Sequence, residues 1–200
     1  MTGLGERAHL ASPDVSLETN IADVAGVLEY EDLRDVNLVG HSATGTVIAG
    51  VADRLAHRVQ NLIYLDAVVP EDGQSAWELL GPRNREWLEE MLATSKHKWL
   101  LPVPEEDNLF GIRDAADARW VKSKLTPQPV RPWRDAVQLS GPDVKRSYIY
   151  CDSRGNTYAD TAARVRSDPA WQYRELKTGH DAMVTAPGEL TDALIELSLR

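Results

Sequence analysis

The sequence predicts an α/β fold, a mostly parallel sheet flanked by helices, with a helical cap inserted into it. Three observations predict this. Strand-like runs at 36–39, 62–65, 147–150 and 171–176 alternate with segments of helical periodicity. The runs at 62–65 and 147–150 are almost continuously apolar, which suits strands covered on both faces, as in a parallel sheet. Between Leu65 and Ser147 lie about eighty residues where a crossover between parallel strands needs only a dozen or so.

Each element has its own reason. Leu17, Ile21, Val24 and Leu28 recur at helical spacing behind Ser16, which caps a helix with Glu18 and Thr19 in its first turn. After the strand at 36–39, a second helix runs from Ser42 to about Arg54 and carries Val47, Ile48 and Val51 on its apolar side. The insertion contains short helices at 75–80, 84–93 and 114–124, punctuated by Pro102, Pro104, Pro127, Pro129 and Pro132. Five of the six tryptophans, Trp77, Trp87, Trp99, Trp120 and Trp133, fall within it. They are expected to form a small core of their own, with one or two turned towards a pocket. Beyond the third strand a helix spans 158–166, and a last helix after Pro187-Gly188 buries Leu190, Leu194 and Leu197. The core is thus assigned to 1–69 and 147–200 and the cap to 70–146.

Composition narrows the function classes. Two hundred residues make one domain the default, and 42% hydrophobic with 26% charged residues is near the average of globular chains. Twenty-two basic against 31 acidic side chains leave a net charge of −9, which repels phosphate backbones, so no nucleic-acid partner is expected. No apolar run approaches the ~20 residues of a bilayer crossing, and the polar start is no leader, so the expectation is a cytoplasmic protein without membrane contact. The lone Cys151 excludes an internal disulfide and a cysteine-rich zinc site, and it ends an apolar run as a buried thiol would. Gly3-Leu-Gly-Glu-Arg-Ala8 has the letters of a dinucleotide fingerprint, but no strand precedes it. With no metal-binding helix motif and no phosphate-binding loop either, neither a cofactor nor a metal is implied.

The stretch Val36-Asn-Leu-Val-Gly-His-Ser-Ala-Thr-Gly45 is the most informative. A strand running directly into a helix through a sharp turn holds a serine hydroxyl above the carboxyl edge of a sheet, with helix N–H groups aimed at the same place. Ser42 occupies that position in a G-x-S-x-G pattern whose last glycine is replaced by Thr44 and followed by Gly45. A hydroxyl needs a base, and His180, just past the last strand, is the candidate. His9, His57 and His97 sit in polar surroundings, and His41 has a structural role on the turn. The imidazole in turn needs a carboxylate. Both Asp66 and Asp152 end apolar strands, and either could reach His180 across the carboxyl edge.

The segments 39–45, 64–75 and 176–187 resemble the bacterial esterase branch of the α/β-hydrolase superfamily, similar to pyrethroid-type carboxylesterases and to the plant methylesterase and hydroxynitrile lyase group. The resemblance covers essentially the whole chain. It implies a nucleophile at Ser42, a general base at His180 and an oxyanion donor in the Ala43 amide. Most of the superfamily places its acid where Asp152 stands, and some members place it where Asp66 stands. The Tyr64-Leu-Asp-Ala67 signature of similar esterases favours Asp66. Asp181 stands where a lyase would carry a lysine, which argues against cyanide chemistry.

The same resemblance implies a shortened amino terminus, because family members begin with further strands and a His-Gly loop that gives the second oxyanion donor. The strand at 36–39 would then be an apolar edge without charge or proline, open to pairing with a second copy of the chain. The expected function is hydrolysis of small or medium carboxylic esters through an acyl-enzyme on Ser42. The competing class is an inactive hydrolase fold with an assembly role.

Overall fold

The computed structural model describes residues 1–105, 109–141, 143–152 and 157–199. Along the chain these form α1 (Leu17–Tyr30), β1 (Val36–His41), α2 (Gly45–Leu55), β2 (Val59–Leu65), α3 (Ala76–Leu79), α4 (Pro82–Thr94) and β3 (Leu100–Leu101). There follow α5 (Ala115–Lys124), β4 (Gln128–Pro129), α6 (Arg131–Arg134), β5 (Lys145–Cys151), α7 (Ala159–Arg166), β6 (Trp171–Leu176), α8 (Ala182–Thr185) and α9 (Pro187–Leu199). The order of the main sheet is β1-β2-β5-β6, and every neighbouring pair is parallel.

Both faces of that sheet are covered, as its apolar strands require. Successive residues point to opposite faces. Leu62, Tyr64 and Tyr148 therefore join the cluster of Ile21, Leu28, Val47 and Val51 from α1 and α2. Ile63, Leu65, Ile149 and Cys151 alternate to the other side, where α9 supplies Leu190 and Leu197. Ile63, Ile149 and Cys151 are fully enclosed, so each of the two isoleucines contributes on the order of 1.5–3 kcal/mol through burial. The same enclosure pushes the Cys151 thiol up to about 12, so it remains an inert packing group.

Helix α1 starts at the expected cap: Ser16 Oγ accepts the Thr19 N–H at 3.1 Å, and Thr19 Oγ1 accepts the Ser16 N–H at 3.2 Å. The Leu17 N–H is taken up by Asp135 Oδ2 at 3.0 Å, which ties this helix to residues between β2 and β5. Those residues build their own cluster from Leu80, Leu88, Leu92, Leu101 and Val130, with Trp77, Trp87 and Trp133 against it. Helices α3, α4 and α5 occupy the expected places. The β3–β4 ribbon and α6 were not expected, because their prolines read as breakers. Pro129 lies in a two-residue strand, and Pro132 lies in the first turn of α6, where a missing N–H costs nothing.

Strand β1 forms one edge of the sheet, and Val39 on it is 40% exposed. Among the described residues no helix is long and apolar enough to cross a membrane.

Candidate active site

Strand β1 ends at His41, and the next residue, Ser42, has φ +60°, a left-handed value that non-glycine residues seldom adopt. Tight contacts hold the turn. Its carbonyl accepts the Val68 N–H at 3.1 Å, and Thr44 Oγ1 donates to the His41 carbonyl at 2.7 Å. A Cβ on Gly45 would lie 1.9 Å from the Val68 carbonyl oxygen, so that glycine is the one the turn demands. Thr44 is accommodated because it is already helical, at φ −71° and ψ 0°. Ala43 follows Ser42 in a short 3-10 turn leading into α2, and its methyl packs with Val68 and Tyr158.

Two carboxylates end strands, and their surroundings differ. Asp66 follows β2, has φ +40°, and is fully buried. Its Oδ1 accepts the Cys151 N–H at 3.2 Å across the end of β5, and its Oδ2 lies 2.6 Å from His180 Nδ1. Asp152 is exposed, and its N–H bonds the Leu176 carbonyl at 2.8 Å. The structure brings Asp66 to His180 and leaves Asp152 at the surface.

His180 lies in the loop between β6 and α8, in a cage of rings. The His41 ring is 4.3 Å away, the Tyr158 ring stacks on it at 5.5 Å and 17°, and the Phe110 ring is 5.9 Å away. His41 Nε2 donates to the His180 carbonyl at 3.0 Å, so His41 secures the loop. Burial, together with the neighbouring His180, holds His41 down at about 4, so its imidazole is neutral over the working range of most enzymes. At Gly179 the loop crosses another backbone so closely that a Cβ there would meet the Phe110 and Gly111 carbonyl oxygens at 2.8 Å. Residues 109–111 are thereby locked to the histidine loop. His9, His57 and His97 are exposed.

Ser42 Oγ is hydrogen-bonded at 3.0 Å to the hydroxyl of Tyr158, which caps α7. Among the described residues no hydrogen bond joins Ser42 Oγ to His180, although both line one cavity of about 380 Å³. Tyr158 is 5% exposed, and burial pushes its phenol up to about 12, so it remains a neutral O–H donor. Sequence reasoning used Tyr158 only as the start of a helix. A tyrosine at the carboxyl edge of the sheet was the available signal, and it is a weak one.

The rest of the cavity wall is mainly apolar, with Trp87, Leu88, Met91, Leu101 and Trp133 from the segment between β2 and β5, and Phe110 and Met183 beside His180. Two of the five tryptophans expected there thus reach the cavity. Trp77 instead packs against the guanidinium of Arg134 at 4.6 Å, and Trp120 is largely exposed. Asn20 also belongs to the wall; it is buried, and its Oδ1 has no partner among the described residues. His41, His180 and Asp181 offer ligand atoms within 4.8 Å of one another. One nitrogen of each ring is committed, His180 Nδ1 to Asp66 and His41 Nε2 to a carbonyl, which leaves the other nitrogen of each ring unengaged by those bonds. Burial raises the Asp181 carboxyl, while the adjacent His180 opposes that rise.

A family model described as the Alpha/beta hydrolase family matches residues 2–193. The carbendazim hydrolyzing esterase of Nocardioides sp. (strain SG-4G) is 39% identical over 209 aligned residues, covering 98% of this chain and 85% of that protein. Among solved structures, an extracellular alpha/beta-hydrolase from a Paenibacillus species superposes with a TM-score of 0.84 at 21% identity, over 98% of this chain and 84% of the other. An Arabidopsis methylesterase follows at 0.75 and 20%, over 98% and 83% of the two chains. A pyrethroid hydrolase from Sphingobium faniae JZ-2 gives 0.65 and 20%, over 92% and 78%. The chain therefore belongs to the alpha/beta hydrolase family, as an esterase-type member of it.

Proposed function

We propose that this protein hydrolyses small or medium carboxylic esters through an acyl-enzyme on Ser42. The supporting observation is the 2.6 Å contact of His180 Nδ1 with buried Asp66, on a cavity whose wall also carries a serine held at positive φ. Ser42 Oγ leaves Tyr158 and attacks the carbonyl carbon while its proton passes to His180 Nε2. The carbonyl π pair moves onto oxygen. Asp66 holds the imidazole with Nδ1 protonated and faces the positive charge that forms on it. The Ala43 N–H and the Tyr158 O–H hold the oxyanion, and Tyr158 keeps its proton throughout. Collapse expels the alcohol, which takes the proton from His180. Water then repeats the sequence on the acyl-enzyme and releases the acid.

Residues 70–146 act as the cap. Trp87 and Trp133, which line the cavity, select an apolar acyl or alcohol group. Carbendazim, the compound in the name of the 39% identical relative, belongs in the substrate panel. A fluorophosphonate probe at one equivalent is expected to add a single phosphonyl group, located on Ser42 by peptide mass mapping. An unlabelled protein at large probe excess would favour the non-catalytic assembly reading instead.

Tyr158→Phe keeps the ring that stacks on His180 and removes the hydroxyl. It is expected to lower kcat by ~10²–10³, as loss of one oxyanion donor does, with KM changed much less. The check is steady-state kinetics on p-nitrophenyl acetate together with a melting curve. An unchanged kcat in a folded variant would assign Tyr158 to packing.

A further inference from the structure

Asp181 opens α8, where an aspartate ordinarily accepts a hydrogen bond from the first turn, yet its side chain makes no such cap. Its main chain is held firmly. The N–H donates to the Phe110 carbonyl at 3.3 Å, and the carbonyl accepts the Val184 and Thr185 N–H groups at 2.9 and 3.0 Å. The carboxylate lies among the histidines: Oδ1 is 3.8 Å from His41 Nε2, and one ligand atom each of His41, His180 and Asp181 fall within 4.8 Å of one another. The side chain is only 14% exposed, and among the described residues no hydrogen bond reaches its carboxylate.

A carboxylate so enclosed is costly unless a positive charge faces it. Among the described residues no lysine or arginine lines the cavity. The titratable neighbours can be taken in turn. Burial and the nearby His180 hold His41 down at about 4, so it is neutral and gives Asp181 no ion pair. Burial pushes Cys151 and Tyr158 up to about 12, so both are neutral too. Asp66 brings a further acidic group rather than a counter-charge. His180 remains, and it becomes positive when it takes the Ser42 proton.

We propose that Asp181 is a second electrostatic partner of His180, whose carboxylate stabilises the imidazolium that forms during acyl transfer. This rests on the esterase reading above and adds a residue to it. Asp66 fixes the imidazole tautomer through Nδ1, whereas Asp181 acts by its charge, at a separation where attraction in a partly dry site is still substantial. The help requires the charged carboxylate. Because burial raises the Asp181 carboxyl, that help fades on acidification sooner than an exposed aspartate's would.

The test uses the full-length protein with Asp181→Asn, which keeps the shape and removes the charge. On p-nitrophenyl acetate kcat is expected to fall about three- to tenfold, with KM changed less than about twofold. The acid limb of kcat/KM is expected to move down by about half a unit to one unit, because a less stabilised imidazolium forms only at lower pH. A residue that merely packs would leave both unchanged in this isosteric variant. Asp181→Ser, which suits a helix start, removes the same charge and is expected to give the same shift, so a misfolded asparagine variant does not rescue a failed idea. Proton NMR of Ser42→Ala with and without Asp181→Asn reads the coupling apart from turnover. The His180 ring signal, identified by its loss in His180→Gln, is expected to titrate at lower pH once Asp181 is changed. A wild-type kcat and acid limb in folded Asp181→Asn, or a His180 signal that stays in place, would overturn the proposal. A wild type inert towards esters whose His180 signal still moves counts against the Ser42 chemistry alone, whereas active turnover with an unmoved signal counts against Asp181 alone.

Discussion

Replacing Ser42 with alanine is expected to lower kcat for p-nitrophenyl acetate by about 10⁶, the size of loss that follows removal of a nucleophile acting as a unit with its base. The substitution deletes one oxygen. It leaves the Val68 N–H to Ser42 carbonyl bond in place, because that bond is made by the main chain. Alanine tolerates φ +60° about as well as serine does, so the fold should survive with a similar melting temperature. His180→Ala is expected to cost a comparable factor, and the double variant little more than either single one, because neither group can act without the other. Activity reduced less than tenfold in a folded Ser42→Ala protein would move the nucleophile elsewhere.

Asp66→Asn should lower kcat by about 10⁴ while Asp152→Asn stays within twofold. Asparagine has the same shape, but its amide either donates towards Nδ1 or meets it with a neutral oxygen. In the first case the imidazole carries its proton on the wrong nitrogen to receive another from Ser42. In the second it gains less stabilisation when it becomes charged. Asp66 is fully buried, with Oδ2 at 2.6 Å from His180, so solvent cannot substitute for the missing charge. Asp152 is exposed, and the bond that fixes it comes from its own N–H to Leu176, which asparagine retains. Kinetics of the two variants side by side distinguish the carboxylates directly. A large loss in Asp152→Asn with Asp66→Asn active would reverse the assignment.

Much of this architecture was legible in the sequence because its elements announce themselves locally. The apolar runs of β2 and β5 required cover on both faces, and the alternation of Ile63 and Leu65 with Leu62 and Tyr64 between two clusters is that cover. Ser16, Ser75 and Asp114 mark helix starts by side-chain caps, which depend on neighbours three or fewer residues away. Choosing between Asp66 and Asp152 was harder, because both end a strand. What separates them is a backbone turn at φ +40° and an N–H reaching over from Cys151, contacts between strands far apart in sequence.

Tyr158 was missed for a related reason. A tyrosine beginning a helix reads as a packing group, and nothing nearby in sequence reveals that its hydroxyl meets Ser42. The short β3–β4 ribbon depends on pairing across the segment between β2 and β5, which no local pattern encodes.

The placement of Asp66 bears on how such an enzyme could diversify. Under the proposed mechanism the carboxylate is mounted at the end of β2, so Asp152 at the end of β5 is relieved of any duty in proton handling. Changes at exposed Asp152 could accumulate while the proposed relay beneath stays untouched. A lineage built this way can vary one strand end without gambling its chemistry on the other.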